Sequence, residues 1–470
     1  MKARLLLSLT ALLFALTSWA VGVEIDGIHY LLNSSTNTAT VARYTSSTNN
    51  NPNAAYKGNI TIPASVSYGG TTYTVTSIGD EAFKECTGLT SISIPSSVTN
   101  IGGWAFEGCT GLASINLPAS VTTIGDDAFW CCTGLTSINI PSSVTAIGHG
   151  AFHGCTGLTS VSIPASVTTI GNYAFTGCEG LASIKVEAGN IAYDSRENCN
   201  AIIETASNTL VAGCMNTTVP NSVTAIGDYA FLGCTGLTSF TIPASVTAIG
   251  DYAFLGCTGL ASIKVEAGNT AYDSRENCNA IIETASNTLV AGCMNTTIPN
   301  SVTAIGDGAF LGRTGLASIS IPASVTTIGN RAFYGCTSLT SINIPSSVTT
   351  IGYKAFLDCT GLKSISIPAS VTAIGDYAFL GCSSLTDIYA RHTDPKAYHC
   401  SDYAFSDVPF STCTLHVPIG SKEAYANTAP WSKFKNIAEG AAQTARHPVQ
   451  SRTHKQKGAR KGGSNTKKSK

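Results

Sequence analysis

Apolar residues return along this chain at one fixed interval. Aligned on the pair Ala-Phe, the sequence repeats every 23 residues, except at two places where the step is 56. The aligned phenylalanines are Phe83, Phe106, Phe129, Phe152, Phe175, Phe231, Phe254, Phe310, Phe333, Phe356 and Phe379. A fixed period in this range is typical of a solenoid, because one unit cannot bury its apolar side alone and successive units have to stack.

Inside one repeat, two kinds of periodicity follow each other. Ile92 and Ile94 alternate with polar residues as in a strand, and Pro95 ends that strand because it has no N–H for the ladder. Apolar positions then recur at three- and four-residue steps, at Val98, Ile101, Ala105, Phe106 and Cys109. This spacing predicts a short helix. The predicted fold is of the α/β class, a solenoid of about eleven to thirteen coils with one parallel strand and one short helix each.

The full repeat reads L-x-x-I-x-I-P-x-S-V-x-x-I-G-x-x-A-F-x-x-C. It resembles the BspA-like class of leucine-rich repeat, found in surface proteins of bacteria and some protozoa, over nearly all of residues 24–440. The resemblance implies an N-terminal cap in residues 21–75, a repeat solenoid in 76–388 and a C-terminal cap in 389–440. Caps are needed because an uncovered end coil would present its apolar face to water.

The two long steps contain copies of one insert, within long repeats of about 186–220 and 265–299. The insert reads NCNAIIETASNTLVAGC, and its two apolar runs flank a turn, which predicts a hairpin. Segments 181–237 and 260–316 differ at only four positions, so a duplication is the simplest explanation.

Pairing Glu204 with Thr209 in the first hairpin would place Cys199 opposite Cys214. Either a disulfide across each hairpin, here and between Cys278 and Cys293, or free thiols would fit the sequence.

The remaining cysteines follow the repeat. Ten of them hold one repeat position: Cys86, Cys109, Cys132, Cys155, Cys178, Cys234, Cys257, Cys336, Cys359 and Cys382. Their side chains should point the same way about 4.8 Å apart, which does not meet the roughly 3.8 Å between Cβ atoms that a disulfide prefers. We expect a ladder of buried thiols. Arg313 stands at the same position, and we expect its stem to pack, its head to reach water and its coil to loosen.

The two termini differ from the repeats. Residues 1–20 combine Lys2 and Arg4 with a short apolar run and the small residues Ser18 and Ala20, which predicts a secretory signal too short to span a bilayer. No later segment predicts a membrane span, so we expect a secreted or cell-surface protein. Residues 441–470 hold nine Lys and Arg and no acid, which predicts a basic disordered tail on an acidic body. The tail lacks the interleaved aromatic residues of single-strand binders, and we expect no nucleic-acid partner.

Nothing in the sequence favours catalysis. The chain has no glycine-rich phosphate loop, no nucleophile elbow and no calcium loop. His149 and His153 are four residues apart, but they lack the glutamate of the zinc motif and a third ligand, which favours a solvated surface pair. We therefore expect no enzyme activity, no cofactor and no metal.

Two surfaces could bind a ligand. The strand surface presents rows of Ser, Thr and Asn and has no aromatic residue. The opposite side carries the candidate ligand-binding residues, which are of the types that dominate interface energies: Trp104, Trp130, Tyr173, Tyr229, Tyr252, Tyr334, Tyr353 and Tyr377. Alternatively, these are positions that packing does not constrain.

The resemblance implies adhesion, by binding host extracellular proteins such as fibronectin or fibrinogen, or other cells. The alternative is an envelope module that binds a glycan or polysaccharide. The sequence does not define the oligomeric state.

Overall fold

Stacked coils with two parallel ladders make up the molecule. A computed structural model describes residues 21–43 and 56–440. The predicted signal sequence and the basic tail lie outside these residues. Each regular coil contributes one strand to each of two ladders, where the sequence predicted a single strand per coil. In the first ladder Ile115 pairs with Ile138, and in the second Ile124 pairs with Ile147, always one repeat apart.

The first ladder contains the I-x-I strands, whose alternate residues are buried and exposed. Its strands are Gly58–Thr61, Leu89–Ser93, Ser114–Asn116, Ser137–Asn139, Ser160–Ile163, Ser183–Val186, Ser239–Ile242, Ser262–Val265, Ser341–Asn343, Ser364–Ile367, Asp387–Ala390, Thr414–Val417 and Asn436–Glu439. The second ladder contains two-residue strands: Asn100–Ile101, Thr123–Ile124, Ala146–Ile147, Thr169–Ile170, Ala225–Ile226, Ala248–Ile249, Ala304–Ile305, Thr327–Ile328, Thr350–Ile351 and Ala373–Ile374.

At the N-terminal end, longer strands precede the regular coils. They are Val21–Ile25, Ile28–Asn33, Thr38–Val41, Ser65–Tyr68 and Thr71–Ile78. The first three form an antiparallel meander, and Thr38–Val41 then pairs in parallel with Thr71–Ile78. The meander therefore leads directly into the second ladder. The solenoid has about 16 turns, somewhat more than the eleven to thirteen predicted.

The predicted short helix of each repeat is wrong. The segment around Ala-Phe is a chain of tight turns in which alternate N–H groups bond within the coil and to the next coil. The N–H of Cys109 donates to the carbonyl of Phe106 at 3.1 Å, whereas the N–H of Phe106 donates to the carbonyl of Ala128 at 2.7 Å. An α-helix would use both groups internally, so bonding between coils excludes it. We call this side of the solenoid the turn face.

Helices are few in the described residues. The α-helix is Lys422–Ala426, and the 3₁₀ helices are Arg196–Asn198, Arg275–Asn277, Pro395–Tyr398 and Trp431–Lys433. Across 21–43 and 56–440, no helix is both long and apolar enough to cross a bilayer.

Each insert forms a hairpin that takes the place of one rung in the second ladder. The strands are Tyr193–Asp194, Ala201–Glu204 and Thr209–Gly213 in the first insert, and Tyr272–Asp273, Ala280–Glu283 and Thr288–Gly292 in the second. The last strand of the first hairpin pairs in parallel with the following coil, Leu210 with Ile226. Strand pairing therefore resumes in each insert as a new sheet, because the preceding sheet ends at Thr169–Ile170 before the first insert and at Ala248–Ile249 before the second.

A stack of phenylalanine rings runs through the core. Neighbouring rings such as Phe106 and Phe129 are nearly parallel, with centroids 5.2 Å apart. The stack stops at each insert, where a glycine of the hairpin lies against the next ring: Gly213 against Phe231, and Gly292 against Phe310. A side chain at either glycine would collide with the ring. The inserts thus divide both the ring stack and the second ladder into three parts.

Close contact between coils also explains the glycine after the second strand. A Cβ atom on Gly125 would lie 2.6 Å from the carbonyl carbon of Gly102 in the preceding coil. No real Cβ atom fits at this distance, so the repeat needs glycine here for backbone approach.

Buried thiols accompany the rings, as the spacing predicts. Eight of the ten ladder cysteines donate to the carbonyl of the phenylalanine in the preceding coil, at 3.0–3.2 Å. Desolvation raises the pKa of Cys155, Cys336 and Cys382 to about 12. These thiols stay protonated at physiological pH and pack as small apolar groups.

In each insert the two hairpin cysteines are not opposite each other. Glu204 pairs with Thr209 as predicted, but a bulge between Ile202 and Ile203 shifts the register, so that Ala201 pairs with Gly213. The thiol of Cys214 donates to the carbonyl of Asn200 at 3.3 Å, and Cys214 is not in a disulfide. Cys278 and Cys293 are likewise free thiols. Of the two alternatives that the sequence allowed, the structure has free thiols.

The expectation that the head of Arg313 reaches water is wrong. The residue is 2% exposed, and its guanidinium donates to the carbonyls of Gly292 at 2.9 Å, Phe254 at 3.1 Å and Cys257 at 3.3 Å. The hairpin separates this coil from the phenylalanine carbonyl that a ladder thiol would bind. Arginine is long enough to reach across, and burial lowers its pKa.

Beyond the last predicted repeat, the ring stack gains another member. Phe405 stacks on Phe379 with centroids 5.0 Å apart, and Trp431 then covers Phe405 at 5.0 Å. Trp431 is fully buried and also contacts Tyr398 and Tyr425. These aromatic side chains close the C-terminal end of the core.

Thiol burial makes a labelling prediction. Because the thiolate is the reactive form, buried thiols with raised pKa should not react with an alkylating reagent in the native protein at pH 8. Cys131 is exposed and should be labelled. Mass spectrometry of the native protein would check this. After unfolding without reductant, Cys109, Cys132, Cys155 and Cys178 should also be labelled, and their failure to react would contradict the ladder.

Closure of the core by Trp431 can be tested by substitution. Trp431→Ala should lower the unfolding free energy of the C-terminal coils by about 3–5 kcal/mol, because a large buried ring leaves a cavity. Urea denaturation followed by circular dichroism would measure the change. Trp104→Ala removes the same side chain from a site where it is 38% exposed, and it should cost under about 1 kcal/mol. If the two substitutions lowered the unfolding free energy equally, Trp431 would not be closing the core.

Candidate binding surface

The exposed side of the first ladder, here called the strand face, is small and polar. Ser114 and Asn116 are exposed on either side of buried Ile115, and the pattern repeats in Ser137–Asn139. Lys185 and Lys264 are exceptions in the inserted repeats. Up to Ser364–Ile367 the strand face therefore offers hydroxyl and amide groups without a large apolar anchor. At the C-terminal end of the same face Tyr389 and His416 stack with ring centroids 4.4 Å apart.

The turn face carries larger side chains at the position immediately before most Ala-Phe pairs. At this position the backbone has positive φ, from 53° to 62°, in the following aromatic residues: Trp104, Tyr173, Tyr229, Tyr252 and Tyr377. Arg331 and Lys354 occupy it in two later coils, with φ of 54° and 55°. The left-handed conformation follows from the alternating turn bonds, and it points these side chains along the outside of the turns.

Most of these side chains, together with neighbouring aromatic residues, form a column along the turn face, which we call the aromatic stripe. It begins at His149, whose ring is 5.1 Å from that of Tyr173. Tyr173, Tyr229 and Tyr252 follow at centroid distances of 4.7 and 5.5 Å. The raised pKa of Tyr229, about 12, comes first from desolvation and then from its neighbour Tyr173. Bulky groups thus cover one another across both sides of the first insert.

Cations continue the aromatic stripe beyond the second insert. The guanidinium of Arg331 lies 5.9 Å from the ring centroid of Tyr252 and 5.4 Å from that of Tyr353. The ammonium of Lys354 lies 4.9 Å from Tyr353 and 5.7 Å from Tyr377. In the described part of the chain, neither cation has a carboxylate partner within ion-pair distance. The faces of the rings therefore balance part of the charge of both cations, and the guanidinium of Arg331 also donates to the hydroxyl of Tyr252 at 2.7 Å.

The last residue of the aromatic stripe, Tyr403, was not among the candidates from the sequence. Tyr403 stacks on Tyr377 at 5.6 Å and is 58% exposed. The tetrapeptide DYAF occurs in both coils, but the second copy follows after 26 residues instead of 23 and so falls outside the regular repeat. A search for the tetrapeptide without a fixed period would have found it.

The structure brings only some of the predicted residues together. Tyr173, Tyr229, Tyr252, Tyr353 and Tyr377 belong to the aromatic stripe. Trp130 follows its Ala-Phe pair instead and contacts His153, with ring centroids 5.8 Å apart. Among the described residues, no ring or cation contact joins Trp104 or Tyr334 to the aromatic stripe.

An open groove interrupts the aromatic stripe at Gly308, the counterpart of Tyr229 in the duplicated segment. Without a ring at this position, Tyr252 and Tyr334 form the two walls of a groove of about 440 Å³. Leu255 and Leu311 also line it, and Arg331 is its charged residue. The groove is large enough for a side chain of a partner protein.

The two paired histidines differ in their environment. His149 is exposed, whereas His153 is half-buried, and its Nδ1 lies 2.6 Å from the hydroxyl of Thr176. Desolvation lowers the pKa of His153. Within the described ranges, no three His, Cys, Asp or Glu side chains are close enough to hold a metal ion together.

Comparisons with solved structures find bacterial proteins with the same repeat. A leucine rich cell surface protein of Faecalibacterium prausnitzii is similar over 90% of this chain and 96% of its own, with 31% identity and a TM-score of 0.52. A leucine-rich repeat protein of Bacteroides ovatus is 28% identical over 82% of this chain and 98% of its own, with a TM-score of 0.38. The T. pallidum leucine rich repeat protein is 28% identical over 51% and 91%, with a TM-score of 0.34.

No curated protein sequence matches the chain. The family model described as the BspA type leucine rich repeat region matches in six copies, over residues 76–203, 211–281 and 290–412. These ranges cover more than half of the sequence. The chain therefore belongs to the BspA-type leucine-rich repeat family.

Proposed function

We propose that this protein is exported through its N-terminal signal sequence and acts in adhesion. In this proposal it binds host extracellular proteins of the fibronectin or fibrinogen kind, or other cells, through the aromatic stripe. Proteins of this family are cell-surface proteins, and the fold is typically a noncatalytic scaffold for protein interaction. Both properties support a surface interaction role.

The single observation that carries the proposal is the backbone conformation beneath the aromatic stripe. A residue with a side chain in the left-handed region costs about 1–2 kcal/mol relative to a right-handed one, and glycine avoids this cost. Gly150 and Gly308 show that the repeat accepts glycine at this position, at φ of 55° and 62°. Tyrosine or tryptophan nevertheless occupies it in five other coils with positive φ. Strain of this kind concentrates at binding sites.

The chemistry of the aromatic stripe also suits a protein ligand. Tyrosine and arginine are enriched among residues that dominate interface energies, and stacked rings lose little conformational freedom on binding. Arg331 and Lys354 add positive charge for carboxylates of a partner. Because the contacts are spread over many coils, each coil contributes a small part of the affinity.

A triple substitution tests the proposal. Replacing Tyr252 and Tyr377 by Gly and Tyr403 by Ser should raise the Kd for an immobilised extracellular protein at least 10-fold, or about 1.4 kcal/mol. Biolayer interferometry against fibronectin, fibrinogen and other matrix proteins would measure it. All three residues lie on the aromatic stripe.

The matched control changes the strand face over three coils. Ser114→Ala, Ser137→Ala and Ser160→Ala together should leave the Kd within about twofold, because these hydroxyls lie on the other side of the coil. If the serine variant lost binding and the tyrosine variant kept it, the ligand would bind the strand face. If neither protein bound any member of the panel, the adhesion proposal would fail.

Backbone strain makes a separate stability prediction. Tyr377→Gly should be more stable than Tyr377→Ala by about 1 kcal/mol, because alanine keeps the left-handed strain that glycine relieves. Urea denaturation of the two variants would measure the difference. At Tyr353, where φ is not positive, the order should be reversed. If Tyr377→Ala is as stable as Tyr377→Gly, or more stable, the argument from backbone strain fails.

A further inference from the structure

The first insert opens a cleft between two coils. In regular coils, the N–H groups of the residue before the Ala-Phe pair and of the phenylalanine both bond to the next coil, as in Trp104 to Asp126 at 2.8 Å. At the first insert the hairpin separates these partners on the turn face. The carbonyl of Ala230 instead accepts from Gly213 of the hairpin, at 2.8 Å. The coils still meet at Gly177, whose N–H donates to Leu232 at 2.8 Å.

Main-chain groups at this cleft are left without partners. The N–H groups of Tyr173 and Phe175 make no hydrogen bond with any described residue, and neither does the carbonyl of Phe175. Phe175 is only 5% exposed. Unpaired main-chain groups in such an environment are uncommon, and each one calls for an external partner.

The walls of the cleft combine aromatic rings with acidic residues. Its volume is about 290 Å³, near the lower end of the range for small-molecule sites. Tyr173, Tyr193 and Tyr229 line it together with Glu204 and Asp228, and no lysine or arginine does. The site thus offers ring surfaces, hydrogen-bond donors and acceptors, and negative charge.

The second insert gives an internal comparison, because the two duplicated segments differ at only four positions. One of these is Cys234 in the first copy and Arg313 in the second. Arg313 lines the equivalent cleft, which has a volume of only about 100 Å³, and its guanidinium donates to the carbonyl of Phe254, the counterpart of Phe175. The second cleft is therefore narrowed, and its phenylalanine carbonyl is satisfied, by a residue of the chain itself.

We propose that the first cleft binds one neutral sugar unit of a glycan. Its unpaired groups include both donors and an acceptor, and a hydroxyl group can pair with either kind. An ammonium or guanidinium group only donates, so it cannot pair with the N–H groups of Tyr173 and Phe175. A carboxylate only accepts and would approach Glu204 and Asp228. A pyranose also has an apolar face that can lie on a tyrosine ring.

The first cleft and the proposed adhesion surface can be tested with different residues. Tyr252, Tyr377 and Tyr403, which test adhesion, do not line the first cleft. A protein can therefore lose one activity and keep the other. The duplicated segments also supply a substitution that the fold already accepts in the same surroundings.

The experiment uses the full chain and a panel of monosaccharides. Saturation-transfer NMR with glucose, galactose and mannose should show binding to the wild type, and glucuronic acid should bind at least 10-fold more weakly. Cys234→Arg should raise the Kd for the neutral sugars at least 10-fold, because it narrows the cleft and occupies the carbonyl of Phe175. Arg313→Cys is the matched control and should leave binding undiminished.

A second variant covers the case that Cys234→Arg does not fold, which its thermal unfolding midpoint would reveal. Ala212→Leu adds bulk to a lining residue and should also raise the Kd at least 10-fold. The proposal is overturned if no neutral sugar binds the wild type, in which case the cleft holds water only. It is also overturned if a folded Ala212→Leu or Cys234→Arg protein binds as tightly as the wild type, or if glucuronic acid binds as well as glucose.

Discussion

Every layer of this molecule depends on the register between neighbouring coils, in which the residues of regular coils pair with those 23 positions away. Backbone hydrogen bonds fix that register three times per coil, in two ladders and in the turn segment. Equivalent residues of neighbouring coils therefore make the same contacts in each coil. Phenylalanine rings stack on one another, cysteine thiols donate to carbonyls, and glycines lie against the backbone of the preceding coil. A shift of one strand residue in the pairing register would turn buried positions outward, so extra residues are confined to the segments between paired strands.

The repeat and its core could be predicted because they follow from periodicity. Phe129 and Cys132 are buried as their spacing requires, and the solenoid with parallel strands is correct. The predicted helix failed because Val98, Ile101 and Ala105 have helical spacing, yet the amides nearby bond to another coil. Spacing shows which residues are buried but not where each N–H finds its acceptor. A long-range contact of this kind leaves no local signal in the sequence.

The errors at single residues have the same origin. Arg313 was expected to reach water because burying a charge is costly, but acceptors from the hairpin and from the coil before it surround its guanidinium. The bulge at Ile202 depends on how the hairpin joins the ladder, which the cysteine spacing does not reveal. The tyrosines of the candidate site were identified by type and position. Their assembly with Arg331 into one column depends on how the coils stack across the second insert, which the spacing of the residues does not reveal.

Stacking also limits where a repeat protein can carry a specific site. A ligand that recognises the regular coil would find the same contacts at every step, so it could bind in many registers with equal energy. Only departures from the repeat remove that degeneracy. Gly308 breaks the aromatic stripe at one point, and the first insert exposes main-chain groups that regular coils satisfy. The hairpins interrupt the turn bonds and divide the second ladder, but each pairs with the coil that follows it, so they create distinct sites while the register of the coils resumes.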